Sequence, residues 1–121
     1  MSYTISKEFS FSASHTLRGL PDGHKCGRPH GHNYVVQVEV TGELDEVGFV
    51  VDYAELSGIG SVIDERLDHR HLNDVLAFNP TAENLSRYLT ETAREVLDLP
   101  LGATVRVQVS ETPKTWAVWN G

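Results

Sequence analysis

Residues 30–42 read HGHNYVVQVEVTG, and from residue 31 onward apolar and polar side chains alternate. A period of two residues predicts a β-strand with one buried face. Because the second face is polar enough to meet solvent, the pattern favours an antiparallel sheet. The apolar side carries Tyr34, Val36, Val38 and Val40, and the polar side carries Asn33, Gln37, Glu39 and Thr41.

Similar patterns on either side of this strand predict the remaining elements. Residues 3–14 alternate with Phe9, Phe11 and Ala13 on the apolar side, which predicts an earlier strand. Leu56, Ile59, Ile63 and Leu67 form an apolar stripe at helical spacing. The predicted elements are strands at 3–14 and 31–42, a helix opened by Asp52 with Glu55 in a capping-box position, a loop at 68–80, a helix from Asn79-Pro80-Thr81 to Asp98-Leu99-Pro100, and strands at 104–110 and 116–120.

This order, ββααββ, predicts an α+β domain with a four-stranded antiparallel sheet and two helices on one face. A sheet of four strands leaves two edges open, so we expect pairing across subunits. The 121 residues are 40% hydrophobic, and we treat residues 1–121 as a single domain.

Composition excludes several classes of protein. The chain has no apolar run long enough for a membrane span and no secretory signal at its start, and its single cysteine, Cys26, suits a reducing compartment. We therefore expect a cytoplasmic protein with no membrane partner. The net charge of −7, from 17 acidic and 10 basic residues, disfavours nucleic-acid binding. An anionic substrate would need a local cluster of cations or a metal.

Three histidines fall on the apolar faces of the first two predicted strands. His30 and His32 share a face with Tyr34, and His15 continues the apolar series of the strand before it. If the strands pair across residues 16–29, the three imidazoles converge. Three neutral imidazoles suit Zn²⁺ and leave a fourth position for water or substrate. The alternative is a His-x-His pair without function, but three histidines would be a costly way to fill a core.

Six motifs follow one another along nearly the whole chain: Phe11–His15 (FSASH), Cys26–Tyr34 (CGRPHGHNY), Val51–Tyr53 (VDY), Leu67–His69 (LDH), Asn79–Asn84 (NPTAEN) and Val109–Thr112 (VSET). Together they resemble the 6-pyruvoyltetrahydropterin synthase family. Within it, the three residues between Cys26 and His30 are similar to the bacterial 6-carboxytetrahydropterin synthases of queuosine and other deazapurine pathways. Animal pyruvoyl-type enzymes have a longer insert there. The resemblance implies the tunnelling fold, in which trimers close a barrel, two trimers stack into a homohexamer, and active sites lie at subunit interfaces.

The resemblance also implies a zinc-dependent lyase that acts on 7,8-dihydroneopterin triphosphate. Triphosphate is eliminated, and in the carboxy branch a carbon–carbon cleavage releases acetaldehyde and leaves 6-carboxy-5,6,7,8-tetrahydropterin. The zinc ligands are His15, His30 and His32. The pyruvoyl-type activity, a cyclohydrolase-like enzyme on the same fold and a non-catalytic zinc-stabilised assembly module remain as alternatives.

Cys26, Asp68 and His69 match the catalytic residues of the family. The resemblance assigns proton transfer to Cys26, whose thiolate a nearby metal favours, and an acid–base role to the pair Asp68 and His69. Alternatively, Cys26 is a fourth zinc ligand or an inert loop cysteine. The alternative for Asp68 and His69 is an ordinary pair at a helix end.

Three further residues match family positions that bind the pterin. Glu111 lies on the apolar face of its strand, and a carboxylate can accept two hydrogen bonds from the N3–H and 2-amino group of a pterin. A solvated strand-end glutamate is its alternative. Thr81 and Glu83 also suit a helix N-cap and a first-turn acid. The triphosphate needs cations, for which Lys25, Arg28 and Lys114 are candidates.

Overall fold

The computed structural model describes residues 1–121 and contains a single four-stranded antiparallel sheet. Its strands lie in sequence order, so each hydrogen-bonds to the next along the chain. The strands are β1 (Tyr3–His15), β2 (His30–Gly42), β3 (Thr104–Thr112) and β4 (Thr115–Val118), and the α-helices are α1 (Ser57–Arg66), the single turn α2 (Leu72–Val75) and α3 (Ala82–Val96). The predicted α+β architecture is confirmed.

Strands β1 and β2 pair along their whole length, from Tyr3 opposite Gly42 to His15 opposite His30. The alternation predicted for β2 is observed, because Tyr34, Val36, Val38 and Val40 are fully buried. Paired residues lie on the same face of a sheet. Side chains at the end of β1 therefore share a face of the sheet with their partners at the start of β2.

Helices α1 and α3 cover the apolar face of the sheet, and 20 buried residues form one core between these layers. Two buried hydroxyl groups of α3 dock the helix on β3. Ser86 Oγ donates to the Val107 carbonyl oxygen at 2.6 Å, and the Val107 N–H donates to Thr90 Oγ1 at 3.0 Å. These bonds satisfy buried polar groups that would otherwise have no hydrogen-bond partner.

The first helix begins later than predicted. Asp52 caps a 3-10 turn over Tyr53–Leu56 by accepting a hydrogen bond from the Ala54 N–H, and α1 starts only at Ser57. The predicted capping box is therefore wrong, because the Asp52 side chain accepts from the N–H of Ala54 and not from that of Glu55. The loop predicted at 68–80 contains the turn α2.

The sheet has edges of unequal length, 13 residues in β1 and four in β4. Residues 69–71 run parallel to the outer edge of β1 as a short fifth segment: the His69 N–H donates to the Ser12 carbonyl and the Ser14 N–H to the Arg70 carbonyl. No helix of the chain has both the length and the apolar character that a membrane crossing requires.

Candidate metal centre and active site

Antiparallel pairing of β1 with β2 brings His15, His30 and His32 together, and we call them the histidine triad. The Nε2 atom of His15 lies 3.0 Å from Nε2 of His30 and 3.1 Å from Nε2 of His32. One nitrogen of each ring lies within 4.8 Å of the others. His15 is fully buried and the other two are half-buried. The expected convergence is observed, and the triad has the geometry to hold a metal ion.

Backbone carbonyls determine which ring nitrogens face each other. His15 Nδ1 lies 2.8 Å from the Pro80 carbonyl oxygen, and His30 Nδ1 lies 2.7 Å from that of Arg28. A carbonyl only accepts, so each Nδ1 carries the hydrogen and donates it. Burial lowers the pKa of His15, and the neighbouring His30 and His32 lower it further, while the Pro80 hydrogen bond and Glu111 act against them.

Neutral rings with Nδ1–H have a bare lone pair on Nε2. With both rings neutral, no hydrogen lies between the two Nε2 atoms, which are 3.0 Å apart. Such a contact is repulsive unless a cation lies between the rings, and metal-binding histidines commonly donate their other N–H to a carbonyl. The triad thus fits a divalent metal ion.

Glu111 reaches the triad from β3. Its Oε2 atom lies 3.9 Å from Nε2 of His15 and 3.8 Å from Nε2 of His32. This oxygen is the only buried side-chain polar atom of the chain that has no hydrogen-bond partner. A buried carboxylate oxygen without a donor is costly, which points to a ligand that supplies one. The predicted apolar-face position of Glu111 is confirmed, and a solvated strand end does not describe it.

Cys26 lies in a 3-10 turn, Lys25–Gly27, within the long loop between β1 and β2. It is half-buried, and the cluster that could hold a metal contains no cysteine. Its N–H donates to His24 Nδ1 at 3.1 Å, and its carbonyl accepts from the Leu17 N–H at 3.0 Å. The backbone of Cys26 is therefore tied to the loop, and its thiol is outside the triad.

Asp68 and His69 form a hydrogen-bonded pair beside β1. Asp68 Oδ2 accepts from His69 Nδ1 at 2.9 Å, and Asp68 Oδ1 accepts from the Ser12 N–H at 3.0 Å. The Ser12 N–H first, and then His69, lower the pKa of Asp68, which keeps this carboxyl ionised. His69 has a φ of +59°, the only positive φ outside glycine. This strained backbone turns its side chain outward, where it is 82% exposed.

The pair and the triad belong to different faces of the sheet. Ser12 and Ser14 alternate with Ala13 and His15, so they point away from the helices. His69 lines a cleft with both serines on that polar face. Within one chain, Asp68 and His69 make no hydrogen bond to the triad.

Thr81 and Glu83 lie at the start of α3. Thr81 Oγ1 accepts from the Asn84 N–H at 3.1 Å and so caps the helix, while Glu83 is an exposed acid of the first turn. Neither side chain makes a hydrogen bond or an ion pair with Glu111 or the triad. Pro80, next to Thr81, carries the carbonyl that orients His15, so the cap also holds one side of the histidine triad in place.

We expect Thr81→Ala to lower the free energy of unfolding by about 1 kcal/mol, because the Asn84 N–H loses its acceptor. Thr81→Ser retains the hydroxyl and should retain the stability in urea denaturation. An equal loss in both variants would contradict the capping role. A raised KM in Thr81→Ser at unchanged stability would indicate a substrate contact instead.

The groups that hold the loop after β1 were not predicted from the sequence. Asn73 pairs with both backbone groups of Thr16, at 2.8 Å each, and Asn79 does the same with Arg18 at 2.9 and 3.1 Å. Nothing in the spacing of these asparagines indicates a partner about 60 residues away. The only signal was their place in the predicted loop at 68–80, where Asn79 also belongs to the motif NPTAEN.

Comparisons with known proteins agree with this fold and site. Residues 4–121 match the family model described as 6-pyruvoyl tetrahydropterin synthase. The chain is 38% identical to a putative 6-carboxy-5,6,7,8-tetrahydropterin synthase of Archaeoglobus fulgidus, over 89% of this chain and 87% of the relative. It is also 38% identical to human 6-pyruvoyl tetrahydrobiopterin synthase, over 97% and 90%.

The structure of Caenorhabditis elegans 6-pyruvoyl tetrahydropterin synthase is similar over 100% of this chain and 96% of that one, with a TM-score of 0.84 and 32% identity. This likeness confirms the tunnelling-fold expectation for the subunit. The expectation of an enzyme of the tetrahydropterin synthase type is also confirmed. The chain belongs to the 6-pyruvoyl tetrahydropterin synthase family.

Proposed function

We propose that the chain is a zinc-dependent lyase that converts 7,8-dihydroneopterin triphosphate to 6-carboxy-5,6,7,8-tetrahydropterin, with release of acetaldehyde and triphosphate, in queuosine or deazapurine biosynthesis. One observation carries this proposal: three imidazole nitrogens converge beside a buried carboxylate oxygen that has no donor. The first feature suits a metal, and the second suits a ring with adjacent N–H groups.

The triad would hold Zn²⁺ through the three Nε2 atoms. Three protein ligands leave a coordination position open, and zinc there supplies Lewis-acid polarisation of the side-chain oxygens of the substrate. Pro80 and Arg28 orient the rings of His15 and His30 through their carbonyls. These contacts keep both nitrogen lone pairs aimed at one point, which raises the affinity for the ion.

Glu111 would anchor the pterin. Its Oε2 lies less than 4 Å from two rings of the triad, so a pterin bound there has its side chain beside the metal position. A carboxylate that accepts from the N3–H and the 2-amino group fixes both the place and the orientation of the ring. Glu83 and Thr81 would lie at the rim of this pocket.

Cys26 and the pair Asp68 and His69 would move protons between the side-chain carbons. Asp68 is ionised and holds Nδ1–H of His69, which leaves Nε2 of His69 to take or give a proton. Cys26 is half-buried in a loop next to the triad in sequence. Its thiolate would be favoured by the positive charge of the metal.

We further propose that each active site is completed between copies of the chain in a cytoplasmic homohexamer, with residues 1–121 acting as one domain. The supporting observation is that His69 is 82% exposed on the polar side of β1, away from the helix-covered side where the triad lies. The outer edge of β1 before Ser12, which residues 69–71 leave uncovered, offers a strand for a neighbouring sheet.

Pyruvoyl-type activity on the same substrate is the second candidate, favoured by the 38% identity to the human relative. The spacing of three residues between Cys26 and His30 supports the carboxy product. The test is incubation of metal-loaded protein with dihydroneopterin triphosphate, with and without a chelator, followed by mass analysis of pterins and assay of acetaldehyde. A 6-carboxy product with acetaldehyde supports the proposal, a 6-pyruvoyl product supports the second candidate, and an unchanged substrate contradicts both.

We expect Cys26→Ala to lower turnover by about 10²–10⁴-fold, the usual contribution of a positioned proton-transfer group. The metal content should stay at one ion per chain, because the metal cluster contains no cysteine. Plasma mass spectrometry of the purified variant checks this. Release of the metal together with a loosened oligomer would mean that Cys26 is a ligand and that the site is structural.

A further inference from the structure

A cleft of about 430 Å³ opens on the polar face of the sheet, beside the Asp68–His69 pair. We call it the polar cleft. None of the nine residues that line it is acidic, although the chain has 17 acidic residues and a net charge of −7. Its lining includes His69, Arg70 and His71 in succession, with Ser14 and Asn33 facing them.

His71 is held in one orientation within the polar cleft. Its Nδ1 lies 2.8 Å from Ser14 Oγ, and its Nε2 has no partner in the chain. In a neutral ring that accepts the Ser14 hydroxyl hydrogen at Nδ1, the ring hydrogen is on Nε2. In a charged ring, both nitrogens carry hydrogens. In these two forms Nε2–H is a free donor, whereas a neutral ring that donates Nδ1–H to Ser14 Oγ would leave Nε2 bare; an anion at Nε2 selects the first two forms.

Asn33 and Arg70 add further donors. Ser12 Oγ donates to Asn33 Oδ1 at 2.7 Å, which leaves the NH₂ group of Asn33 without an acceptor. Arg70 uses one N–H for the Glu65 carbonyl at 2.9 Å and retains the others. A cleft with several free donors and no carboxylate suits a polyanion.

Another cleft, of about 730 Å³, has the opposite character. It lies at the other end of the sheet, and Glu43, Asp45 and Asp52 are among its lining residues, without any cation. An anionic ligand is therefore repelled there. Although smaller, the polar cleft is the better match for phosphate groups.

We propose that the polar cleft binds the triphosphate of the substrate, with Nε2–H of His71 and the NH₂ group of Asn33 as its donors. This inference rests on the proposed function. Under that function His69 moves a proton at a side-chain carbon close to the triphosphate ester, and His69 lines the same cleft. The phosphate groups then lie next to Arg70 and His71. Lys25, Arg28 and Lys114, the cations expected from sequence, are exposed and do not line the polar cleft.

The test uses His71→Asn in the metal-loaded protein. Asparagine retains a polar atom near Ser14 Oγ and lacks the Nε2 donor. We expect KM for dihydroneopterin triphosphate to rise about tenfold, the loss of one charge-assisted hydrogen bond. The inhibition constant of 7,8-dihydroneopterin, which carries no triphosphate, should be unchanged.

Arg106→Gln is the matched control, a cation on the same face of the sheet that is paired with Glu39 at 2.7 Å. Its KM should equal that of the wild type. Ser14→Ala removes the hydrogen bond that orients the His71 ring and should also raise KM. This variant replaces His71→Asn in the test if His71→Asn does not fold.

Equal changes for both ligands, or no change for either, would overturn the inference while leaving the enzyme proposal in place. A rise in KM confined to Lys25→Ala, Arg28→Ala or Lys114→Ala would also overturn it. If the wild type does not convert the triphosphate substrate at all, the proposed function fails, and the inference fails with it.

Discussion

His30→Ala is expected to abolish activity, by about 10³-fold or more, and to reduce the metal content from one ion per chain to nearly none. His30 supplies one of three Nε2 atoms that lie close together, and two imidazoles cannot retain a catalytic zinc ion against a chelator. The loss of rate follows because the metal contributes several kcal/mol to the stabilisation of charge. Metal content after dialysis and turnover of dihydroneopterin triphosphate are the two measurements.

His30 is the better site for this test than His15. His15 is fully buried in the core, whereas His30 is half-buried at the start of β2, so its truncation leaves the core intact. The matched control is His24→Ala, a histidine of the loop before β2 that lies outside the triad, and its metal content should equal that of the wild type. A His30→Ala protein that retains its metal would contradict the proposed centre.

Glu111→Gln is expected to weaken pterin binding about 100-fold without loss of metal. A carboxylate accepts two hydrogen bonds from the pterin edge, each about 1.5–3 kcal/mol for a charged acceptor. The amide NH₂ of glutamine would face a pterin N–H instead. Titration of 7,8-dihydroneopterin by its fluorescence measures the affinity, and the metal content is measured on the same sample.

Glu91→Gln is the control for this prediction, because Glu91 pairs with Arg87 on the outer side of α3 at 2.7 Å. It should bind the pterin as the wild type does. If Glu111→Gln kept full affinity and lost the metal, Glu111 would be a metal ligand, since its Oε2 lies 3.8–3.9 Å from two rings of the triad.

The alternation of β1 and β2 made the convergence of the three histidines predictable from the sequence. Once two strands alternate and are joined by one loop, His15, His30 and His32 must share the helix-covered face. The same periodicity placed Glu111 on this face. The register of β3 is irregular between Val109 and Thr112. The Glu111 carboxylate nevertheless lies on the predicted face, next to the triad.

The start of α1 was not predictable from local patterns. Asp52 and Glu55 have capping-box spacing, yet Asp52 bonds to the Ala54 N–H and begins a 3-10 turn. Gly60 weakens the helix in isolation, but a Cβ there would lie 3.0 Å from the Phe9 ring. The glycine is therefore explained by the close approach of α1 to β1, a tertiary contact that local propensity does not contain.

Other parts of the site depend on contacts between distant segments. The carbonyls of Pro80 and Arg28, which orient the rings of His15 and His30, carry no side-chain signal in the sequence. The position of His69 on the polar face follows from residues 69–71 pairing with the edge of β1 and from a positive φ. For the same reason, the sequence suggested exposed loop cations for the triphosphate and did not indicate His71.

X-ray absorption at the zinc edge of the loaded protein identifies the atoms that bind the metal. We expect three imidazole nitrogens and one oxygen at about 2.0–2.1 Å, with the oxygen environment changing when dihydroneopterin triphosphate is added. A sulfur ligand at about 2.3 Å, or a shell of four protein atoms that the substrate leaves unchanged, would contradict it.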